Sequence, residues 1–134
     1  MTHTHPIRVY YEDTDLAGIV YYANYLKFIE RARSEWVRAL GLDQRAMKAR
    51  GDGVFAVRRL VADYRAPARF DDLLTVTTTL HSLTRARLVL DQRVLRADQP
   101  LFEAEVTLVC LAESGRPRPL PRALLDAVGE IPSR

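Results

Sequence analysis

The sequence predicts an α+β fold in which a curved, five-stranded antiparallel sheet wraps around one long helix. Three observations carry this expectation. Residues 24–40 form the one amphipathic stretch long enough to serve as a central helix. Four β-prone segments follow between residues 54 and 111, joined by short turns, and short connections make neighbouring strands antiparallel. No long helical segment separates those strands, so a parallel βαβ layout would lack its crossovers. With 134 residues, 48% of them hydrophobic, the chain is expected to form one domain over residues 1–134.

The elements follow in order. Residues 7–11 alternate and are β-prone, which predicts a first strand. The run from Glu12 to Gly18 breaks that pattern with Asp, Thr and Gly, which favour turns and caps. Asn24 suits a helix N-cap, with Thr14 or Asp15 as alternatives for an earlier turn. Tyr25, Phe28, Ile29, Ala32, Trp36, Ala39 and Leu40 then recur at helical spacing, while Lys27, Glu30, Arg31, Arg33, Glu35 and Arg38 fill the opposite face. Gly41 is expected to stop the helix, and Asp43 to begin a shorter one ending near residues 51–53. Residues 54–64, 73–81, 87–95 and 101–111 read as strands, with a hairpin turn at 97–100. In the last strand Phe102, Ala104, Val106, Leu108 and Cys110 should face inward and Glu103, Glu105 and Thr107 outward. A Pro/Arg-rich excursion spans 115–121, and Leu124, Leu125 and Val128 suggest a short terminal helix.

Composition excludes several classes. No apolar run approaches the roughly 18–20 residues needed to span a membrane. The first residues carry neither a basic segment nor an apolar one, so no signal peptide is expected there. Cys110 is the one cysteine, which rules out an intrachain disulfide and points to a reducing compartment, read as the cytoplasm. Net charge is +3, and apart from Lys27 and Lys48 the cations are arginines. Arginine favours bidentate contact with phosphate, so an anionic partner is admissible. No nucleic-acid-binding signature is visible, and the arginines are spread along the chain, so nucleic acid is not an expected partner. His3, His5 and His81 give no metal-ligand spacing, and no metal is expected. Ser34 lies mid-helix without a nucleophile elbow. Cys110 reads as a buried apolar filler.

The chemistry is expected at the strand-to-helix corner. Asp15 should be a carboxylate, favoured by the nearby helix start. The backbone after Gly18 enters the helix through N–H groups that lack intrahelical partners, and these can stabilise an oxyanion. Gly18 allows close backbone approach to a ligand. A carboxylate and an oxyanion site suffice for acyl transfer but supply no strong general acid. That favours a thiolate leaving group, hence a thioester. The alternative is that Asp13 and Asp15 only cap and turn.

The run Tyr11-Glu12-Asp13-Thr14-Asp15-Leu16-Ala17-Gly18-Ile19-Val20-Tyr21-Tyr22-Ala23-Asn24-Tyr25, with Phe28–Arg33 and the later Tyr64–Asp72, resembles the hot-dog-fold thioesterases of the 4-hydroxybenzoyl-CoA thioesterase family. Within it the chain looks most like the Tol–Pal-associated acyl-CoA thioesterase branch, over about residues 6–125. The resemblance implies a sheet wrapped around a helix, a homodimer or homotetramer, and hydrolysis of acyl-CoA thioesters. No cofactor is implied, coenzyme A being part of the substrate. It places the catalytic carboxylate at Asp15 and the N–H that polarises the carbonyl at Tyr22, where many members of the Tol–Pal branch carry His. A backbone role survives that change; a side-chain role does not carry over. Arg85 and Arg87 fall where the hydroxybenzoyl branch has a basic cluster. Arg58, Arg59 and Arg65 are further candidates for the phosphates of coenzyme A, and Tyr25 for substrate contact. Acyl carrier protein is an alternative carrier. The competing class is a binding module of the same fold that holds an acyl-CoA or a protein without turnover.

Overall fold

A computed structural model describes residues 2–129. In chain order it contains β1 (Thr2–Arg8), a 3-10 turn (Tyr11–Asp13), α1 (Asn24–Ala39), α2 (Gln44–Ala49), β2 (Val54–Tyr64), β3 (Leu73–Leu83), β4 (Leu88–Arg96), β5 (Gln99–Leu111), β6 (Pro117–Arg118) and α3 (Arg122–Gly129). The strands form one six-stranded sheet in the order β1-β3-β4-β5-β2, with β6 also on β5, and every pairing is antiparallel. The sixth strand comes from the Pro/Arg-rich excursion. Its Arg118 pairs with Cys110, taking up the flank of β5 that β4 leaves after Leu88 meets Leu108.

The core lies between α1 and one face of the sheet. Tyr25, Phe28, Ile29, Ala32, Trp36 and Val37 make the buried stripe of the helix, with Val37 in the place expected of Ala39. Against it stand Leu74, Val76 and Leu80 of β3, Leu88, Leu90 and Val94 of β4, and Phe102, Ala104, Val106, Leu108 and Cys110 of β5. The β5 set is the one expected from alternation, although Thr107, expected outward, is buried as well. Fully burying each large apolar side chain contributes about 1.5–3 kcal/mol, so sliding α1 along the sheet would be costly. Gly41, at φ +86°, ends α1 as expected.

Some expectations need correction. β1 begins at Thr2 and ends at Arg8, because Arg8–Leu73 is its last rung with β3 and the chain then turns. Tyr10 and Asp13 close that turn: the Asp13 N–H donates to the Tyr10 carbonyl at 3.0 Å, and the Asp13 carboxylate accepts the Tyr10 N–H at 2.8 Å. His3 and His5 lie within β1 opposite Thr78 and Val76, not on a loose end. Asn24 is the first residue of α1 rather than its cap; Ala23 holds the cap position without a side-chain bond. Arg33 turns inward, toward a buried Gln92 that breaks the apolar series of β4.

Candidate active site

The chain between the 3-10 turn and α1 folds into a narrow hairpin. The Asp15 N–H donates to the Ile19 carbonyl at 2.9 Å and the Tyr21 N–H to the Asp13 carbonyl at 3.0 Å, bracketing a bridge between Thr14 and Val20. Gly18 closes the tip by donating its N–H to the Asp15 carbonyl at 2.9 Å. Its φ of +81° is the reason for glycine here; a Cβ would meet no atom within 4 Å. A second turn supports the hairpin from below, where the Val20 N–H donates to the Ala68 carbonyl at 2.8 Å and Ile19 bridges Arg69.

Two groups on this hairpin are available for chemistry. Asp15 is exposed, and its Oδ1 accepts the Ala17 N–H at 2.9 Å, while Oδ2 has no partner among the described residues. On the other arm the Tyr22 N–H is likewise without a partner among the described residues, although its carbonyl accepts the Tyr64 hydroxyl at 2.9 Å. Around the corner Tyr10, Tyr11, Leu16, Tyr21, Tyr22 and Phe70 are all exposed, and Leu16 is fully so. An exposed apolar collar of this kind is the mark of a binding surface.

Tyr25 has a different place from the one expected. It is 3% exposed, stacks on Phe102 with ring centroids 5.1 Å apart, and accepts the Ala68 N–H at 3.0 Å. It therefore packs beneath the site and presents no free surface to a ligand. Burial pushes its phenol pKa up, against the opposing Ala68 bond and the charge of Arg96.

Four of the five candidate arginines come together. A groove of about 750 Å³ is rimmed by Arg58, Arg85 and Arg87 and floored by Val109 and Leu111. A neighbouring hollow of about 680 Å³ adds Arg59 to Arg58 and Arg87. The register slip between Val57 and Arg59 is a β-bulge, which frees Arg58 from the ladder. Arg65 is elsewhere: it lies six residues past Arg59, about 20 Å along an extended chain, and pairs with Glu103 at 2.8 Å. Arg118, which sequence reasoning did not single out, completes the rim of the first groove.

Beside these arginines, His81, Asp91 and Glu105 bring donor atoms within 4.8 Å of one another, and His81 and Glu105 also line the second hollow. Sequence spacing hides this cluster because the residues come from three strands. Asp91 faces Glu105 in the β4–β5 register, and a slip between Leu80 and Ser82 brings in His81. His81 Nδ1 lies 2.9 Å from Asp91 and Nε2 3.8 Å from Glu105. The set has the donors for a divalent cation, and an exposed ion-pair cluster accounts for it equally well.

An antiparallel sheet packed on one helix, with a carboxylate and a backbone N–H without partner among the described residues at the helix entry, is the arrangement expected of a hot-dog thioesterase. The family model described as the thioesterase-like superfamily matches residues 9–128, so the chain belongs to that superfamily. It is 43% identical over 122 residues to the acyl-CoA thioester hydrolase YbgC of Escherichia coli, covering 90% of each chain. To the acyl-CoA thioesterase YbgC of Haemophilus influenzae it is 40% identical over 115 residues, 86% of this chain and 84% of the other. Among solved structures, a probable thioesterase from Bartonella henselae superposes with a TM-score of 0.87 at 37% identity, covering 90% of this chain and all of the other. A 1,4-dihydroxy-2-naphthoyl-CoA thioesterase from Synechocystis superposes at 0.89 with 28% identity over 98% of both. These likenesses bear out the hot-dog fold and the thioesterase resemblance.

Proposed function

We propose that the protein hydrolyses acyl-CoA thioesters, with Asp15 as the reacting carboxylate and the Tyr22 N–H as the carbonyl clamp. The observation that carries this reading is the pair of groups without partners among the described residues, Asp15 Oδ2 and the Tyr22 N–H, on the two arms of one hairpin. The names of the YbgC relatives support the reaction class. The thioester carbonyl oxygen accepts the Tyr22 N–H, which stabilises the charge that develops there during attack. In the nucleophilic route Asp15 Oδ2 bonds to the carbonyl carbon, the carbon–sulfur bond breaks, and coenzyme A leaves as thiolate. Water then cleaves the mixed anhydride, releasing the acid and restoring the carboxylate. In the general-base route Asp15 takes a proton from water as it attacks the same carbon, the carbon–sulfur bond breaks, and the proton passes from Asp15 to the departing thiolate. Single turnover in oxygen-18 water tests the first route: label in Asp15 establishes an anhydride opened at the Asp15 carbonyl, whereas label confined to the released acid fits the general-base route or an anhydride opened at the acyl carbon. Gly18 lets the hairpin tip turn tightly beside the substrate.

The arginine-rimmed groove, apolar in its floor and cationic at its edge, suits the nucleotide end of coenzyme A. The reading includes a homodimer or homotetramer. β2 is an edge strand whose Val57, Val61 and Tyr64 are exposed, and an apolar edge of that kind favours pairing with a second copy. It also places the protein in the cytoplasm, which suits a lone buried cysteine; no helix among the described residues is long and apolar enough to cross a membrane. The direct test is thiol release from a panel running from acetyl to long-chain and aromatic acyl-CoA, with acyl carrier protein thioesters alongside. Tight binding without thiol release would instead establish a binding module.

A further inference from the structure

Asn24 belongs to the residue types that cap helices, yet no side chain caps α1. Its carboxamide Nδ2 donates instead to the Asp13 carbonyl at 2.9 Å. Its backbone N–H donates to the Tyr21 carbonyl at 2.8 Å. One residue at the start of α1 thus holds both arms of the hairpin, two positions before Asp15 on one and one position before Tyr22 on the other. The Asp13 carbonyl also accepts the Tyr21 N–H at 3.0 Å, so both of its lone pairs are used. The Tyr21 carbonyl and the Tyr22 N–H belong to the same planar trans peptide and point to opposite sides. Fixing that carbonyl on Asn24 therefore aims the Tyr22 N–H away from the helix and leaves it open.

We propose that Asn24 is a positioning residue for the thioester reaction, its carboxamide setting the Asp15 carboxylate at its working distance from the Tyr22 N–H. The proposal rests on the assignment of Asp15 and Tyr22 made above. Without the carboxamide, the Tyr21 N–H still closes the hairpin on Asp13. The Asp13 arm then keeps its cross-arm bonds, Tyr21 N–H to Asp13 and Asp15 N–H to Ile19, but loses its tie to the start of α1, so Asp15 can shift relative to the Tyr22 N–H. The core beneath α1 does not involve this contact, so folding and substrate binding are maintained while the reacting geometry is lost.

The test compares Asn24→Asp and Asn24→Ala with the wild-type chain in thiol release from one acyl-CoA, together with thermal melting, with Asp15→Asn as reference. Aspartate keeps the shape of asparagine and is favoured beside a helix N-terminus, but its carboxylate cannot donate to the Asp13 carbonyl. A displacement of about 1 Å in a reacting group costs up to about 100-fold, so kcat should fall roughly 10–100-fold in both variants. KM should stay within about threefold, because substrate binding does not pass through the carboxamide. Asn24→Asp should melt at the wild-type temperature. An Asn24→Asp variant with wild-type kcat would overturn the proposal, as would a loss of activity in both variants that only follows their unfolded fraction. Should Asp15→Asn prove fully active, the site assignment itself falls and the proposal with it. An inactive Asp15→Asn beside fully active Asn24 variants overturns the positioning role alone.

Discussion

The Tyr64 hydroxyl donates to the carbonyl oxygen of Tyr22 at 2.9 Å, tying the last residue of β2 to the residue whose N–H faces the proposed substrate. The two rings also meet edge to face, with centroids 6.2 Å apart, and Tyr64 packs edge-on to Phe102 at 4.9 Å. The end of an edge strand is thereby coupled to the corner where the chemistry is assigned. If β2 pairs with a second copy, that pairing is transmitted to the carbonyl clamp through this bond.

Tyr64→Phe keeps the ring and removes the donor. Losing one neutral hydrogen bond at a partly exposed site should lower stability by about 1 kcal/mol, read from thermal or urea unfolding. The freed Tyr22 peptide should also lower kcat several-fold with KM little changed. A variant indistinguishable from wild type in both assays would show that the bond does not steady the clamp.

The arginines divide by position, and so should their effects. Arg58→Ala and Arg87→Ala should each raise KM for an acyl-CoA about tenfold, since each charged contact to phosphate is worth about 1.5–3 kcal/mol at most and is partly screened here. The same substitutions should do little to an acyl-pantetheine, which lacks the nucleotide. Arg65→Ala should leave KM unchanged, because its guanidinium is engaged by Glu103. A KM response at Arg65 matching that at Arg87 would argue against the groove as the nucleotide site.

Beneath the helix, Gln92 is fully buried and fully used. Its Nε2 donates to the Ile29 carbonyl at 3.0 Å and to Thr78 Oγ1 at 2.9 Å, and its Oε1 accepts from Arg33 at 3.0 Å. Burial pushes the Arg33 pKa down, with Glu30 opposing. Gln92→Leu should therefore destabilise the fold by about 2–3 kcal/mol by stranding Arg33 and the Thr78 hydroxyl. Adding Arg33→Leu should recover part of that loss in the same unfolding assay; a further loss would mean that Arg33 has other support.

This pair also shows what the sequence left unsaid. Valine and aromatic content located β2 to the residue, and alternation found the inward set of β5, because one buried face forces a period of two. A buried glutamine answering an inward arginine defeats the same reading, since both types usually face water. The corner was legible in outline: Asp15, Gly18 and Tyr22 share one hairpin. Tyr25 was not, because an amphipathic ring at a helix start packs inward or meets a ligand with the same periodicity. Asn24 reads as a cap because spacing reports residue type and position, not which carbonyl a side chain finds. The cluster of His81, Asp91 and Glu105 depended on register, which a single strand does not encode.

Asp72 gives the turn beneath the hairpin an acid-sensitive brace. Burial raises its pKa, but the Arg69 N–H and the Arg96 guanidinium outweigh that and hold it below the usual aspartate range. Its Oδ2 accepts both at 2.8 Å. A depressed folded-state pKa stabilises the fold above the unfolded value, near 3.9, and the contribution disappears as pH falls below it toward the folded value. Partial exposure limits it to about 1 kcal/mol. Asp72→Asn should lower stability at pH 7 and flatten the loss below pH ~4 in melts across pH. An acid limb as steep as that of wild type would assign the sensitivity to other carboxylates.

The most direct measurement is the single-turnover rate of thiol release from an acyl-CoA by the wild-type chain and by Asp15→Asn, with binding of the same acyl-CoA measured separately. Asparagine preserves the size of the side chain and can neither attack the carbonyl nor take a proton from water. Thiol release should be at least about 1,000-fold slower in the variant, with acyl-CoA affinity retained. A variant that releases thiol at the wild-type rate would contradict it.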